Sequence, residues 1–158
     1  MKNLNDLLEV LLKSKIDFVL IGGYAGVVHG SSVVTQDIDV CAVLAPDNIQ
    51  RLRACLKDYN PSHRMTQKKL SFLKYPEKLD GIKNLYIETD LGIVNVIGDV
   101  SGVGSFEEVK KDAIEITLYG YKCKVISIDD LIKCKETLKR PKDLIVVEEL
   151  KSIKRSKF

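Results

Sequence analysis

The segment 18–43, FVLIGGYAGVVHGSSVVTQDIDVCAV, constrains the fold more than any other part of the chain. It predicts a strand, a Gly-Gly turn, a short helix and a second strand that carries two carboxylates. Glycines at a helix N-terminus can bring backbone N–H groups to a phosphate, because no Cβ blocks the approach. Acidic side chains beside that turn can hold divalent metal ions next to the phosphate. The order of these elements therefore indicates nucleotide chemistry.

Composition places the chain among folded globular proteins. Of its 158 residues, 45% are hydrophobic and 30% are charged, so we predict a single domain over 1–158. The longest apolar run is short, which predicts no membrane contact. The N-terminal stretch lacks the pattern of a secretory signal, so the cytoplasm is the expected location. A net charge of +3 permits an anionic partner without arguing for one.

The four cysteines do not form a metal-binding pattern. Cys41, Cys55, Cys123 and Cys134 include no C-x-x-C pair, and no histidine lies at ligand spacing. Their apolar neighbours predict buried, reduced thiols and no zinc site.

Apolar periodicity and turn residues predict helices around a mixed sheet, an α/β or α+β fold that ends in a helical pair. The C-terminal helix is expected to bury a stripe of Leu144, Val147, Leu150 and Ile153. The stretch 59–81 reads as a long loop with one strand around 69–73. The predicted helices are 4–15, 24–29, 46–57, one turn at 106–111, 128–138 after a Ser127 cap, and a last helix from Pro141. The predicted strands are 17–21, 37–44, 84–89, 92–97, 113–119 and 121–126.

Two carboxylates are predicted on one face of the second strand. Successive strand side chains point to opposite faces, so Asp37 and Asp39 share a face and lie about 6–7 Å apart. Carboxylates at that spacing can grip the metal pair, about 3.5–4 Å apart, of in-line phosphoryl displacement. A D-x-D sequence is common on protein surfaces. Here it lies within an apolar strand, where unpaired charges are costly, and this favours a function.

Other polar residues of the segment have structural and functional interpretations. Gly22 and Gly23 can form either a simple turn or a phosphate cradle. His29 is read as a helix-end or core histidine in preference to a catalytic base. Ser32 and Thr35 can donate to phosphate oxygens, although loop hydroxyls commonly bond the local backbone.

Two motifs carry a family resemblance. The run IGGYAGVVHGSSVVTQDIDV resembles the active-site signature of the DNA polymerase beta-like nucleotidyltransferase superfamily. Its H-G…T-x-D-I-D pattern most resembles that of small bacterial and archaeal members related to the abortive-infection nucleotidyltransferase toxins. The C-terminal SIDDLIKCKETLKRPKDLIVVEEL is similar to the final motif of those proteins. In that motif a lysine on one helix is followed by an R-x-K-D that opens the next. The resemblance covers nearly the whole chain after the first helix, except the middle loop.

The resemblance implies a nucleotidyltransferase fold and a magnesium-dependent activity. A nucleoside monophosphate would pass from a nucleoside triphosphate to an acceptor hydroxyl, and pyrophosphate would leave. The acceptor would be RNA such as tRNA, a protein or a small molecule, and an antitoxin is an implied partner. By the resemblance, Gly22 and Gly23 contact the triphosphate, and Asp37 and Asp39 bind Mg²⁺. Lys135 and Asp143 complete the site from the C-terminal helices.

One departure from the superfamily pattern concerns the metal site. Relatives often have a third acid on the strand after the 84–97 hairpin, where this chain has Asn95. An asparagine carbonyl can contact a metal or a nucleotide, but it cannot accept a proton. We therefore expect a weakly bound second Mg²⁺, and Asp143 is the best remaining candidate for the role of the missing acid.

A second departure removes a cation. Relatives commonly have an arginine shortly after H-G, where this chain has Val33. Arg64, Lys68 and Lys69 of the middle loop are candidates to replace it.

Two function classes stay open. An enzyme is favoured, because the glycines, the paired acids and the C-terminal lysine and acid are all present. The alternative is a catalytically weak or inactive module that binds a nucleotide or a partner, for example in a toxin–antitoxin system. Asn95 and Val33 support that alternative. The basic tail 151–157 could touch RNA, but no aromatic stacking pattern accompanies it.

Overall fold

A seven-stranded mixed sheet is the centre of the computed structural model, which describes residues 3–156. Helices pack against it, and a separate two-stranded ribbon lies at 99–105. The helices are α1 Leu4–Lys13, α2 Gly22–Val28, α3 Pro46–Leu56, α4 Phe106–Lys111, α5 Ile128–Leu138 and α6 Pro141–Ser156, with a 3₁₀ turn at Lys57–Tyr59. The strands are β1 Phe18–Ile21, β2 Asp37–Ala42, β3 Ser62–His63, β4 Asn84–Thr89, β5 Gly92–Ile97, β6 Asp99–Val100, β7 Gly104–Ser105, β8 Ile114–Leu118 and β9 Tyr121–Val125.

The strand order brings distant parts of the chain together at one end of the central strands. The order is β3-β4-β5-β2-β1-β9-β8. β2 runs antiparallel to β1 and parallel to β5, whereas β9 runs parallel to β1. The carboxyl ends of β1 and β9 therefore meet the amino end of β2. The Gly-Gly turn, the first acid of β2 and the start of α5 lie together at this end of the sheet.

Alternating burial along β2 confirms the predicted period of two. Ile38 and Val40 are buried in the core, while Asp37 and Asp39 are half-buried on the opposite face. Apolar residues of α1, among them Leu7 and Leu8, belong to the same core. Each such fully buried aliphatic side chain contributes about 1.5–3 kcal/mol.

The two predicted hairpins are confirmed. β4 and β5 are joined by Asp90 and Leu91, and β8 and β9 by Tyr119 and Gly120. α2 begins at Gly22, two residues earlier than the periodicity predicted, because the glycine turn itself forms the first helical residues.

The start of α5 forms one of the two hydrogen bonds of the predicted capping box. Ser127 is the N-cap, and its Oγ accepts from the backbone N–H of Asp130 at 3.0 Å. The Asp130 side chain does not reach back, and its buried Oδ2 has no partner among residues 3–156. The single bond satisfies one of the free N–H groups of the helix end.

The predicted apolar stripe of α6 is wrong at one position. Leu144 is 47% exposed, whereas Val146 and Asp143 are buried along with Val147 and Leu150. Asp143 takes the inward position because its partners lie on and beside α5. Neither α6 nor another helix within the described residues has the length and apolar character needed to cross a membrane. Residue 157, at the end of the basic tail, lies outside the described residues.

The middle segment, residues 59–81, is organised by tertiary contacts instead of the predicted strand. The expected strand at 69–73 is wrong, since only Ser71 forms a bridge, to Ser62 of β3. Phe72 is fully buried, and Arg53 of α3 stacks over its ring at 5.3 Å. The Arg53 guanidinium also donates to the carbonyls of Phe72 and Pro76, each at 2.7 Å. These contacts anchor the segment to α3, and the pairing of β3 with β4 holds it at the sheet.

The cysteines are free thiols. Cys41 and Cys123 are buried, and Cys55 and Cys134 are partly buried. Burial raises the pKa of the Cys41 thiol to about 12 and those of Cys55 and Cys123 to about 11, so these thiols stay protonated at neutral pH.

Candidate active site

The two acids of β2 lie between strands that bring other site residues to them. Asp39 is in register with Ile21 at the end of β1 and with Asn95 of β5. The Asn95 side chain shares the face of Asp37 and Asp39. Strand register therefore builds the centre of the site from two separate segments.

Asn95 bridges the two carboxylates. Its Nδ2 donates to Oδ2 of Asp37 at 3.0 Å and to Oδ1 of Asp39 at 2.8 Å. Its Oδ1 accepts from Nε and Nη2 of Arg64 at 3.2 and 2.9 Å. Arginine has only donors, and an ionised carboxylate has only acceptors, so these partners determine the orientation of the amide.

The Asp39 carboxyl is costly to ionise in this position. Burial raises its pKa, and the charge of neighbouring Asp37 raises it further. The hydrogen bond from Asn95 and the charges of Lys135 and Arg64 oppose this effect, but the pKa remains above its usual range. The site therefore holds negative charge that an added cation would stabilise.

The carboxylates meet the first requirements of a magnesium site. Oδ1 of Asp37 and Oδ2 of Asp39 accept no hydrogen bond from residues 3–156, so each acid keeps one free oxygen. Mg²⁺ prefers such hard oxygen ligands. Asp37 and Asp39 fit a metal ion, while Asn95 presents its NH₂ toward them. Within the described residues no group of three or more His, Cys, Asp or Glu side chains is placed to hold a metal.

The Gly-Gly turn lies directly against Asp39. Gly22 has φ +68°, and a Cβ at this position would overlap Oδ2 of Asp39. A Cβ on Gly23 would lie 3.0 Å from Oγ1 of Thr35. The Thr35 hydroxyl donates to the backbone carbonyl of Asp37 at 3.1 Å. The absence of side chains on the turn thus lets its backbone pack closely against the Asp39 carboxylate and the Thr35 side chain.

Gly22→Ala is expected to destabilise the protein and displace Asp39. Left-handed backbone costs a non-glycine residue about 1–2 kcal/mol, and the overlap with Asp39 adds to that cost. Gly81→Ala is the matched control, because Gly81 has φ +74° and open space around its Cβ position. Chemical denaturation should show a larger loss for Gly22→Ala than for Gly81→Ala. Equal losses would mean that the contact with Asp39 has no energetic weight.

The loop between α2 and β2 is fastened to the C-terminal helix. Glu149 of α6 accepts from the Ser31 hydroxyl at 2.6 Å, and from the hydroxyl and backbone N–H of Ser32 at 2.7 and 3.1 Å. These hydrogen bonds lower the pKa of Glu149. The Ser32 hydroxyl proton is therefore engaged by Glu149, and a nucleotide contact of Ser32 stays a prediction.

The C-terminal helices contribute a buried ion pair. Nζ of Lys135 on α5 lies 3.6 Å from Oδ1 of Asp143 on α6, and both residues are buried. Arg140 donates to Asp143 through Nε at 2.5 Å and Nη2 at 3.0 Å. Burial alone would raise the pKa of Asp143. The Arg140 hydrogen bonds and the charges of Arg140 and Lys135 outweigh it and lower the pKa.

These contacts favour a role for Asp143 as the counter-ion of Lys135 and Arg140. They argue against the other role considered, that of the missing third acid. Both of its oxygens face cations, and its lowered pKa makes it a poor proton acceptor. The charge of Lys135 also lowers the pKa of Asp39, so the ion pair and the acid pair act on each other electrostatically.

The structure separates the three middle-loop cations. Arg64 reaches the site through Asn95, whereas Lys69 pairs with Glu88 at 2.7 Å. Lys68 is exposed and makes no hydrogen bond or ion pair within the described residues. No local pattern distinguishes Arg64 from its neighbours, so sequence could name it only as one of several cations.

Two other polar residues have structural roles. His29 ends α2, is buried, and its Nε2 bonds the carbonyl of Ile126 at 2.7 Å. This arrangement agrees with the helix-end interpretation. Arg140, which sequence analysis did not name as a site residue, is signalled by the R-x-K-D run that opens α6.

Solved structures with the same fold extend over nearly the whole chain. The lincosamide antibiotic adenylyltransferase LnuA, bound to lincomycin, matches with a TM-score of 0.61 and 16% identity, covering 94% of each chain. ANT(2″)-Ia in complex with adenylyl-2″-tobramycin matches at 0.57 and 11% identity, over 96% of this chain and 95% of that one. An antigenic nucleotidyltransferase-like protein from Paracoccidioides brasiliensis matches at 0.56 and 15% identity, over 96% and 75%.

Comparison by sequence adds no relative. No protein-family model matches this chain, and no curated protein does so. The structural likenesses show the nucleotidyltransferase fold that the motifs predicted.

Proposed function

We propose that this chain, which has the nucleotidyltransferase fold, transfers a nucleoside monophosphate from a nucleoside triphosphate to an acceptor hydroxyl. One observation carries the proposal. The free Oδ2 of Asp39 lies directly against the turn at Gly22, and Asn95 holds the Asp37 carboxylate beside that of Asp39. A phosphate on the turn would therefore adjoin a cation on the acids. The fold of LnuA and ANT(2″)-Ia supports the same general activity.

Six of the site residues have a role in this reaction. Gly22 and Gly23 would present backbone N–H groups to the triphosphate. Asp37 and Asp39 would hold Mg²⁺, which when bound neutralises phosphate charge at the reacting centre. Lys135, oriented by Asp143, would add positive charge near the same phosphates.

The transfer itself makes one bond and breaks one. The acceptor oxygen attacks the α-phosphorus, the bond from that phosphorus to the bridging oxygen of the β-phosphate breaks, and pyrophosphate leaves with the electron pair. The acceptor proton passes to water. Positioning and charge stabilisation account for catalysis, with little covalent work for the protein.

The acceptor defines the biological role. LnuA and ANT(2″)-Ia have lincomycin and adenylylated tobramycin in their structures, which favours a small hydroxyl compound here. tRNA and proteins are the other acceptor classes, and an antitoxin partner and a cytoplasmic location belong to the same proposal.

Labelled nucleotides test the proposal. The protein is incubated with each α-³²P NTP, Mg²⁺ and one acceptor class at a time: lincosamide and aminoglycoside antibiotics, total tRNA, or a cell protein extract. Transfer by the native protein, lost in a folded D37N/D39N variant, would support the enzyme. Absence of transfer to every class, with nucleotide binding that is independent of Mg²⁺, would overturn it.

A non-catalytic binding module is the second candidate, favoured by the Asn95 amide between the acids. Asn95 and Arg64 stabilise the carboxylate pair without an added cation. A module of this kind predicts tight nucleotide binding without turnover, which equilibrium binding of labelled ATP and the transfer assay together distinguish from an enzyme.

A further inference from the structure

We propose that Arg64 is a positioning residue that holds the Asn95 amide as a hydrogen-bond donor toward Asp37 and Asp39, so that the site takes one divalent cation. The inference rests on the proposed nucleotide site. The loss of a carboxylate at position 95 already predicts that a second ion binds weakly. The inference goes further, because it attributes the loss of the second ion to Arg64, which is 31 positions from Asn95 in sequence.

The orientation of the amide is the first step. Asn95 can turn either its NH₂ or its carbonyl toward the acids, and only the carbonyl is a metal ligand. Both Arg64 contacts go to the carbonyl oxygen, at 2.9 and 3.2 Å. While Arg64 stays in place, rotating the amide would set an NH₂ against a guanidinium and a carbonyl against two carboxylates. Every hydrogen bond of the bridge would become a repulsive contact.

Arg64 is itself held in place. Its backbone N–H donates to the carbonyl of Tyr86 at 3.1 Å, and its guanidinium lies over the Tyr86 ring at 5.3 Å. Tyr86 of β4 is the register partner of Asn95 on β5. Backbone pairing, ring stacking and the two hydrogen bonds therefore restrain the same guanidinium, which makes it a fixed part of the site.

Charge favours the same stoichiometry. The bound nucleotide and the Lys135–Asp143 pair are common to the two cases compared here. Apart from them, the two carboxylates and the Arg64 guanidinium together carry one negative charge. A single divalent cation reverses that to one positive charge, and a second would leave three. A third carboxylate without the arginine would start from three negative charges and could accommodate two ions. Replacing an acid by Asn95 and Arg64 thus makes the net charge of the site more positive by two units at close range.

Counting bound Mn²⁺ tests the inference separately from activity. Electron paramagnetic resonance measures Mn²⁺ bound per protein, with one equivalent of a non-hydrolysable α,β-methylene ATP analogue. We expect one ion for the native protein and two for Asn95→Asp, which restores a carboxylate. Arg64→Ala, which frees the amide to rotate, should gain a second ion with an affinity about 10–100-fold weaker than in Asn95→Asp. Lys68→Ala, from the same segment, is the matched control and should keep one ion.

The outcomes separate this inference from the proposed function. Two ions in the native protein would overturn it, as would a single ion in folded Arg64→Ala when Asn95→Asp binds two. If Arg64→Ala does not fold by circular dichroism, Arg64→Met, which keeps an unbranched stem for packing but has no N–H donor for the Asn95 carbonyl, takes its place with the same expectation. If no acceptor is modified while the ion counts follow the expected pattern, the proposed transfer fails and the role of Arg64 stands.

Discussion

Asp143→Ala is expected to lower the free energy of unfolding by about 3–5 kcal/mol. The substitution removes the carboxylate that faces buried Lys135 on α5 and Arg140 before α6. Asp143 is 1% exposed and Lys135 7% exposed, so the lysine would be left with an uncompensated charge in the core. The expected loss comes mainly from that unpaired charge and only partly from the lost attraction. Urea denaturation followed by far-ultraviolet circular dichroism measures it.

An exposed ion pair between the same two helices is the matched control. Lys151 of α6 lies 3.4 Å from Glu136 of α5, and the two side chains are 39% and 47% exposed. Glu136→Ala should cost no more than about 1 kcal/mol. A Lys135→Met/Asp143→Ala double variant should recover much of the loss, because the buried lysine charge is absent. A loss for Asp143→Ala no larger than that for Glu136→Ala would contradict the expectation.

The lowered pKa of Asp143 also predicts a pH dependence with a definite sign. A carboxyl whose pKa is lower in the folded state contributes stability above its unfolded pKa of 3.8. That contribution is lost as the pH falls through the lowered folded pKa. The stability difference between the native protein and Asp143→Asn should therefore shrink below pH 4. Thermal melts between pH 2 and pH 7 measure the difference.

Asp39→Asn is expected to reduce nucleotidyl transfer at least about 100-fold while leaving the protein as stable or more stable. The variant keeps the shape of the side chain but removes one carboxylate from the magnesium site. Burial and the charge of Asp37 raise the pKa of Asp39, which means that its ionised form opposes folding at neutral pH. Transfer rates and denaturation curves on the same preparation measure both effects.

The sign of the stability effect can be followed with pH. A group whose folded pKa is raised adds stability below its unfolded pKa, and this is lost as the pH rises through the folded pKa. The stability gain of Asp39→Asn should therefore appear as the pH rises above about 4 and level off beyond the folded pKa. Asp99→Asn, at an exposed acid of β6, should change neither transfer nor this profile. Full transfer activity in folded Asp39→Asn would remove Asp39 from the proposed mechanism.

Features that depend on near neighbours in sequence were predictable. Alternation along β2 placed Asp37 and Asp39 on one face, because strand geometry has a period of two whatever lies beyond the strand. The hairpin turn at 90–91 and the Ser127 cap followed from turn and capping chemistry over three or four residues. The order of these elements indicated an α/β or α+β class, and the motif resemblance implied the nucleotidyltransferase fold, which the structural likenesses show.

The middle segment shows where that reasoning fails. Its apolar residues have no regular period, so no helix or strand pattern could locate Phe72 in the core. Arg53 on α3 binds the carbonyls of Phe72 and Pro76, and this contact between distant residues helps to set the path of the segment. Only with that path known does Arg64 become a neighbour of Asn95.

By itself the sequence determined the glycine turn, the paired carboxylates of β2 and the elements that carry them, since each depends on periods and caps a few residues long. Tertiary structure alone decided that Asn95 faces the acids with its NH₂ and that Arg64 holds it there. It also decided that Asp143 pairs with Lys135 and Arg140. These three arrangements depend on strand register and on side chains that meet from distant segments. Their energies come from packing and charge in the folded state, for which a linear pattern has no signal.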